Sequence, residues 1–150
     1  MAHTSTKILV HCVFSTKGRR PFLPDPISDR LNRYTAGIAT NHQMHLIRGG
    51  GVADHRHLLL QFRPTMNVSE GMKVLKANSS KWLKETYPEL RGFAWQTGFS
   101  AFSVGPSSVD SVTRYIDRQA AHHRKATFEE ELIRMLERAE IEYDLDDLFD

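Results

Sequence analysis

Two short runs hold the residues whose types and spacing could do chemistry. In Asp54-His55-Arg56-His57-Leu58-Leu59-Leu60 the apolar, extended character reads as a strand, and strand alternation puts His55 and His57 on one side. Two imidazoles so placed can converge on one divalent metal, although such a pair also occurs as ordinary strand-edge histidines in a chain with 8 of them. In Tyr115-Ile116-Asp117-Arg118-Gln119-Ala120-Ala121-His122-His123, helical spacing makes Tyr115 and Gln119 neighbours one turn apart. Val109, Val112, Ile116 and Ala120 form the adjoining apolar stripe, which leaves Tyr115 and Gln119 at its edge. The bland reading of that edge is a half-buried aromatic beside a surface amide. Taken together, the two runs are what a tyrosine nucleophile with a metal site of two imidazoles and an amide oxygen would be expected to present.

The elements that must position these residues follow from periodicity and punctuation. Ile8 to Phe14 reads as a buried strand, followed by the basic loop STKGRRPFLP. Asp25 before Pro26 is an expected helix N-cap, and Ile27, Leu31, Tyr34 and Ile38 carry the helix to about Asn41. Met44 to Gly49 is expected to form a second strand, Gly49-Gly50-Gly51 a turn, and Val52 to Phe62 a third strand in antiparallel pairing. Asn67 with Glu70 opens a helix bearing Val68, Met72, Leu75, Trp82 and Leu83, and Pro88 closes that region. A last strand is placed near Phe99 to Val104. A helix is placed from Ser107 or Ser108 to about Arg124, and a closing helix starts at Thr127 with Glu130. The first six elements predict an α+β ferredoxin-like (RRM-like) antiparallel sheet with helices on one face, to which a C-terminal tyrosine-bearing helix is added. The other sheet face is expected to be free for a ligand or partner.

Composition is that of one ordinary globular domain over residues 1–150, with a hydrophobic fraction of 40% and a charged fraction of 25%. A single cysteine, Cys12, excludes an intramolecular disulfide. No signal-like start and no apolar run of membrane-spanning length are evident, so a cytoplasmic location is expected. The formal net charge is +2, but a short acidic tail at about 140–150 offsets an otherwise basic chain, and basic surfaces attract phosphates.

The blocks ILVHCVFSTKGRRPFL, GGVADHRHLLL, LKANSSKWL, FAWQTGFSAFSV and YIDRQAAHH, in this order along nearly the whole length, resemble the single-tyrosine HUH transposases of the insertion-sequence 200/605 type (TnpA-like). The resemblance implies Tyr115 as nucleophile, with His55, His57 and Gln119 as metal ligands. It also implies magnesium or manganese as cofactor, and a homodimer acting on single-stranded DNA folded into hairpins at element ends. In some members the tyrosine helix completes the partner's site. Arg56 departs from the family pattern, which is hydrophobic between the histidines. It is expected on the opposite sheet face, with an acidic partner or an edge route to solvent. Phe99 stands where many relatives have tyrosine.

The implied chemistry is transesterification. A phenol of ordinary pKa about 10 attacks phosphorus, forms a 5′-phosphotyrosine and releases a 3′-hydroxyl, so rejoining needs no nucleotide cofactor. His122, on nearly the same helical face, is a candidate for proton transfer. Lys17, Arg19 and Arg20 in one loop, Lys76 in the LKANSSKWL block and Arg118 beside the nucleophile are candidate phosphate contacts. Trp95 and Phe102 could stack on bases, with core packing the stronger expectation. Two alternatives keep the same scaffold: a domesticated relative that processes genomic palindromes, and a non-catalytic binder of single strands.

Overall fold

The computed structural model describes residues 3–149; Met1, Ala2 and Asp150, the last residue of the expected tail, lie outside the described residues. Four strands, β1 (Ile8–Ser15), β2 (Met44–Val52), β3 (His55–Phe62) and β4 (Ser100–Val104), form one antiparallel sheet in the order β2-β3-β1-β4. Helices α1 (Asp25–Asn41) and α2 (Val68–Thr86) fill the two crossovers, giving the ferredoxin-like arrangement. β1 and β3 are the central strands and are buried almost throughout, which explains why both read as continuous apolar runs rather than alternating ones.

Register decides which side chains meet. Val13 pairs with His57, Ser15 with His55, and His11 with Leu59 on one side and Phe102 on the other. Directly paired residues share a sheet face, so His11, Val13, His55, His57 and Phe102 gather on one side. The opposite side, with Val10, Cys12, Phe14, Leu58, Leu60 and Phe62, packs on Ile27, Leu31 and Ile38 of α1 and Met72, Leu75 and Leu83 of α2.

Several boundaries differ from expectation for identifiable reasons. The three glycines lie inside β2, and the turn is Ala53-Asp54, held by Leu23 N–H to the Ala53 carbonyl and Thr16 N–H to the Asp54 carbonyl. Gly50 pairs with His57, and a Cβ there would stand 2.8 Å from Ile116 Cγ2, so it permits a helix to lie close over the strand. Gly51 has φ +152, and a Cβ there would lie 2.2 Å from the His55 carbonyl oxygen. Asp25 is not the cap of α1 but its first residue, where a carboxylate faces the positive end of the helix; Pro24 holds the cap position. Asn67 does cap α2, its side chain accepting from Glu70 N–H at 2.8 Å.

The face expected to be free is covered by the chain itself. The expected Ser108–Arg124 helix is two: α3 (Val109–Asp117) and α4 (Gln119–His122), separated at Arg118, whose ψ of 15° departs from the helical value near −42°. The break lets Gln119 sink to near-complete burial while Tyr115 stays at the rim. Next come α5 (Phe128–Arg138), capped by the Thr127 hydroxyl oxygen accepting from Glu130 N–H, and the short α6 (Leu145–Leu148). Phe128, Leu132 and Leu136 of α5 pack on Val13, with Phe102 beside them, as a second small core. No helix of the described residues is long and apolar enough to cross a membrane.

Candidate active site

His55 and His57 are fully buried beneath α3, α4 and α5, and each ring is oriented by a partner at Nδ1. His55 Nδ1 lies 2.7 Å from Asp54 Oδ1 at the hairpin turn, and His57 Nδ1 lies 2.8 Å from His11 Nε2 on β1. Both Nε2 atoms therefore face the helices. Such outer partners fix ring orientation in metal sites. Burial pulls His11 down to about 3 and His57 down to about 4, the latter against the pull of Glu131. At His55 burial also works downward, but hydrogen bonds to Asp54 and Glu131 outweigh it and raise its pKa.

The two helices bring Tyr115 and Gln119 to these histidines. Gln119 Oε1 accepts from His55 Nε2 at 2.8 Å, and Gln119 Nε2 donates to Glu131 Oε2 at 2.9 Å. The Tyr115 hydroxyl donates to the same Oε2. Burial first, then the Glu131 carboxylate, raises the phenol above its ordinary pKa. The Tyr115 ring lies 5.6 Å from the His57 ring of the same chain.

Glu131 is the residue that sequence reasoning missed. Only 1% of its side chain is exposed, and its Oε1 lies 3.1 Å from His57 Nε2, 3.3 Å from His55 Nε2 and 3.1 Å from His123 Nε2. Burial opposes its charge, but the hydrogen bonds from His123, His55 and His57 hold it far below the ordinary carboxylate range. A signal was present: Glu131 follows Phe128 by three residues and precedes Met135 by four, placing a carboxylate on the buried face of α5. His123 was also passed over; its Nδ1 donates to the Ala126 carbonyl and its Nε2 lies 3.0 Å from Gln119 Oε1. His122 is near the phenol, with ring centroids 5.6 Å apart, and its Nε2 stands 3.6 Å from Glu131 Oε2.

The donor set fits a divalent cation. Ligand atoms of His55, His57 and Glu131 lie within 4.8 Å of one another, as do those of His122, His123 and Glu131. Donors about 2.1 Å from an ion stand roughly 3.0–3.4 Å apart for octahedral to tetrahedral angles, the spacing found around Glu131 Oε1. Mixed imidazole and oxygen donors suit manganese and other transition ions better than they suit magnesium.

Two clefts meet at Tyr115. One, of about 630 Å³, is lined by His11, Phe102, Tyr115, His122, Glu131, Arg134 and Arg138. The other, of about 760 Å³, is lined by Arg114, Tyr115, Arg118, His122, Arg124, Lys125 and Arg134. Arg118, a candidate phosphate contact, thus lines this cleft alongside cations the sequence did not single out. Lys17 and Arg20 are exposed in the first loop, whereas Arg19 pairs with Glu129 at 3.0 Å and lies over the Phe149 ring. Lys76 stands elsewhere, donating to the carbonyls of Gln96 and Gly98 at 2.6 and 2.8 Å and so fastening the segment before β4 to α2. Trp95 is core, its Nε1 donating to Ser79 Oγ. Arg56 is buried on the α1 side as expected, but neither an acidic hydrogen-bond partner nor solvent receives it. Nη1 donates to Ser28 Oγ at 2.5 Å, Nε donates to the Gly50 carbonyl, and Nη2 has no hydrogen-bond partner among the described residues. Burial lowers its pKa to about 10, countered in part by Asp29.

Comparison with known proteins places this geometry. The family profile "Transposase IS200 like" matches residues 4–119. The chain is 25% identical over 114 residues to the ISDra2 transposase TnpA of Deinococcus radiodurans, covering 73% of this chain and 81% of that one. It is 29% identical over 125 residues to the transposase for insertion sequence element IS200 of Salmonella typhimurium, covering 79% and 81%. Its fold matches a crystal structure of a protein given as a transposase of Deinococcus radiodurans R1, with TM-score 0.66 at 25% identity over 79% of this chain and 95% of that one. A REP-associated tyrosine transposase bound to a REP hairpin shares the fold over 100% of this chain and 91% of that one, with TM-score 0.60 at 15% identity. With most of its length matched by the profile, this chain belongs to the IS200-like family of DNA transposases.

Proposed function

We propose that this transposase cleaves and rejoins single-stranded DNA by transesterification through Tyr115, assisted by a divalent metal held by His55, His57 and Gln119. The observation that supports this most is that the Tyr115 hydroxyl, where the two clefts meet, donates to the Glu131 carboxylate, which also contacts both buried Nε2 atoms and the Gln119 amide. When bound, the metal supplies Lewis-acid polarisation of the scissile phosphate.

The chain's own groups do the rest. Arg114, Arg118, Arg124, Lys125 and Arg134 line a cleft that neutralises a phosphate backbone and leads it to Tyr115. The phenol oxygen attacks phosphorus, the bond from phosphorus to O3′ breaks, and the strand leaves as a 3′-hydroxyl while the 5′-phosphate stays on Tyr115. Reversal by another 3′-hydroxyl rejoins the strand. Glu131, which accepts the hydroxyl's hydrogen bond, holds the phenol oxygen at the cleft floor, and His122 stands behind that carboxylate. A hairpin-bearing strand is the proposed substrate, consistent with the hairpin complex of the similar REP-associated enzyme, and a homodimer is the proposed working form.

The test uses a labelled hairpin-bearing single strand with Mn²⁺. Wild type is expected to give a denaturation-resistant protein–DNA adduct, and Tyr115→Phe to bind DNA but give none. Adduct formation by Tyr115→Phe at the wild-type rate would remove Tyr115 from this role.

A further inference from the structure

We infer that Glu131 is the anionic ligand of the metal, so that the complete protein donor set is His55, His57, Gln119 and Glu131; this rests on the metal reading above and deepens it. Glu131 lies on α5, outside the segment matched by the family profile, and neither the histidine pair nor the Tyr-x-x-x-Gln spacing points to it.

Three observations carry the assignment. Glu131 Oε1 is 3.1 Å from His57 Nε2 and 3.3 Å from His55 Nε2, separations that ligands sharing one ion adopt. The two rings are turned by Asp54 and His11 so that both Nε2 atoms face this oxygen. Among the described residues no other carboxylate joins His55 and His57 in such a cluster, and a site of two imidazoles and one amide would otherwise hold a dication without any anionic ligand. The other carboxylate oxygen is aimed by Gln119 Nε2 at 2.9 Å and receives the Tyr115 hydroxyl. One carboxylate therefore ties the metal position to the nucleophile.

The fold supplies the means of burying this charge. Thr127 caps α5, and Phe128, Leu132 and Leu136 seat it on the sheet, so Glu131 enters the site on a helix fixed at both its start and its apolar face.

The experiment titrates the full chain, without DNA, with Mn²⁺ and reads the free-ion electron paramagnetic resonance signal. Circular dichroism checks that each variant is folded. Glu131→Gln is expected to weaken Mn²⁺ binding by about 100-fold. Co²⁺ substituted for Mn²⁺ should show shifted visible bands in Glu131→Ala, because a lost ligand changes the band energies whereas a lost distant charge does not. His57→Ala serves as the reference. If it abolishes binding while folded Glu131→Gln keeps wild-type affinity, the Glu131 assignment is overturned and the metal reading stands. If His57→Ala also binds normally, the metal reading itself fails. Unshifted Co²⁺ bands in Glu131→Ala, or tighter Mn²⁺ binding in Glu131→Gln, would show a charge beside the ion or a plug over the site and would overturn the assignment equally.

Discussion

Gly50→Ala is the most discriminating single change, because it perturbs the site without touching any of its polar groups. A Cβ at position 50 would stand 2.8 Å from Ile116 Cγ2 and 3.1 Å from the Ile116 carbonyl oxygen. Carbon contacts relax at about 3.5–4.0 Å, so α3 must rise by about 0.7 Å or more at the residue next to Tyr115. Overpacking of this kind costs about 1–3 kcal/mol. Reduced freedom of the unfolded chain returns about 0.4–1 kcal/mol, leaving a net loss of roughly 1–2 kcal/mol in urea denaturation. The catalytic effect should be larger, because a displacement approaching 1 Å of a positioned nucleophile costs about 100-fold in rate. Single-turnover adduct formation measures it. Gly49→Ala is the control: its Cβ would meet only side-chain atoms on the α1 side, Asn32 Oδ1 at 3.2 Å, Leu46 Cδ2 at 3.3 Å and Leu58 Cδ2 at 3.4 Å, and adduct formation should be unchanged. Ile116→Ala placed with Gly50→Ala should recover part of the lost stability, with a coupling of about 1 kcal/mol. A Gly50→Ala protein with wild-type stability and rate would refute the close seating of α3 on β2.

Arg118→Ala and Arg134→Ala should each weaken single-strand binding and flatten its salt dependence by about 0.7 in log–log slope, whereas Arg19→Ala, whose side chain is committed to Glu129, should leave that slope unchanged in filter-binding titrations. Arg56→Met should preserve or raise the melting temperature and leave Mn²⁺ affinity unaltered, because it removes a buried guanidinium with an unpartnered Nη2 on the face away from the site. His11 and His57 are held at about 3 and about 4, chiefly by burial, against an unfolded value of 6.5. From pH 6.5 down to 4.5 the unfolded chain therefore binds more protons, and stability falls as pH falls by up to about 1.4 kcal/mol per unit for each ring. His11→Asn should remove about one proton from that slope in urea midpoints measured across the window.

The strand half of the site was legible because strand geometry is local: alternation alone puts His55 and His57 together, and register then adds His11. The glycines were misread as a turn because their use is tertiary. Gly50 answers to Ile116, 66 residues away in sequence and invisible to any window around β2. The single helix expected through Arg124 failed for a related reason. Nothing in Ile116-Asp117-Arg118-Gln119 breaks a helix by propensity, and the break at Arg118 accompanies the burial of Gln119 against His55 and Glu131. Arg56 shows the limit of the burial argument: its face was correctly placed, but Ser28 and the Gly50 carbonyl, rather than an acid, receive its donors. Glu131 was hidden behind its neighbour, since Glu130 satisfied the capping pattern and drew attention from the carboxylate one residue on.

An anionic group at the floor of a phosphate-binding cleft raises a conflict that α5 itself resolves. A carboxylate beside the Tyr115 hydroxyl repels an approaching phosphodiester, and at an effective dielectric of about 20 two unit charges 6 Å apart interact by about 3 kcal/mol. Glu131, Arg134 and Arg138 recur at i, i+3 and i+7, which puts all three on one side of the helix. Glu131 and both arginines line the cleft that reaches Tyr115, and Arg134 lines the basic cleft as well. The helix that delivers the negative charge to the buried end of the site therefore carries two guanidiniums outward along the path the phosphate takes. Removing Arg134 should then slow adduct formation by more than it weakens DNA binding, because it takes away a guanidinium that lines both clefts beside Tyr115, whereas Arg124→Ala, in the basic cleft alone and on the loop before α5, should lower binding alone. Equal losses of binding and of rate at both positions would dissolve this pairing and leave Arg134 as one more backbone contact.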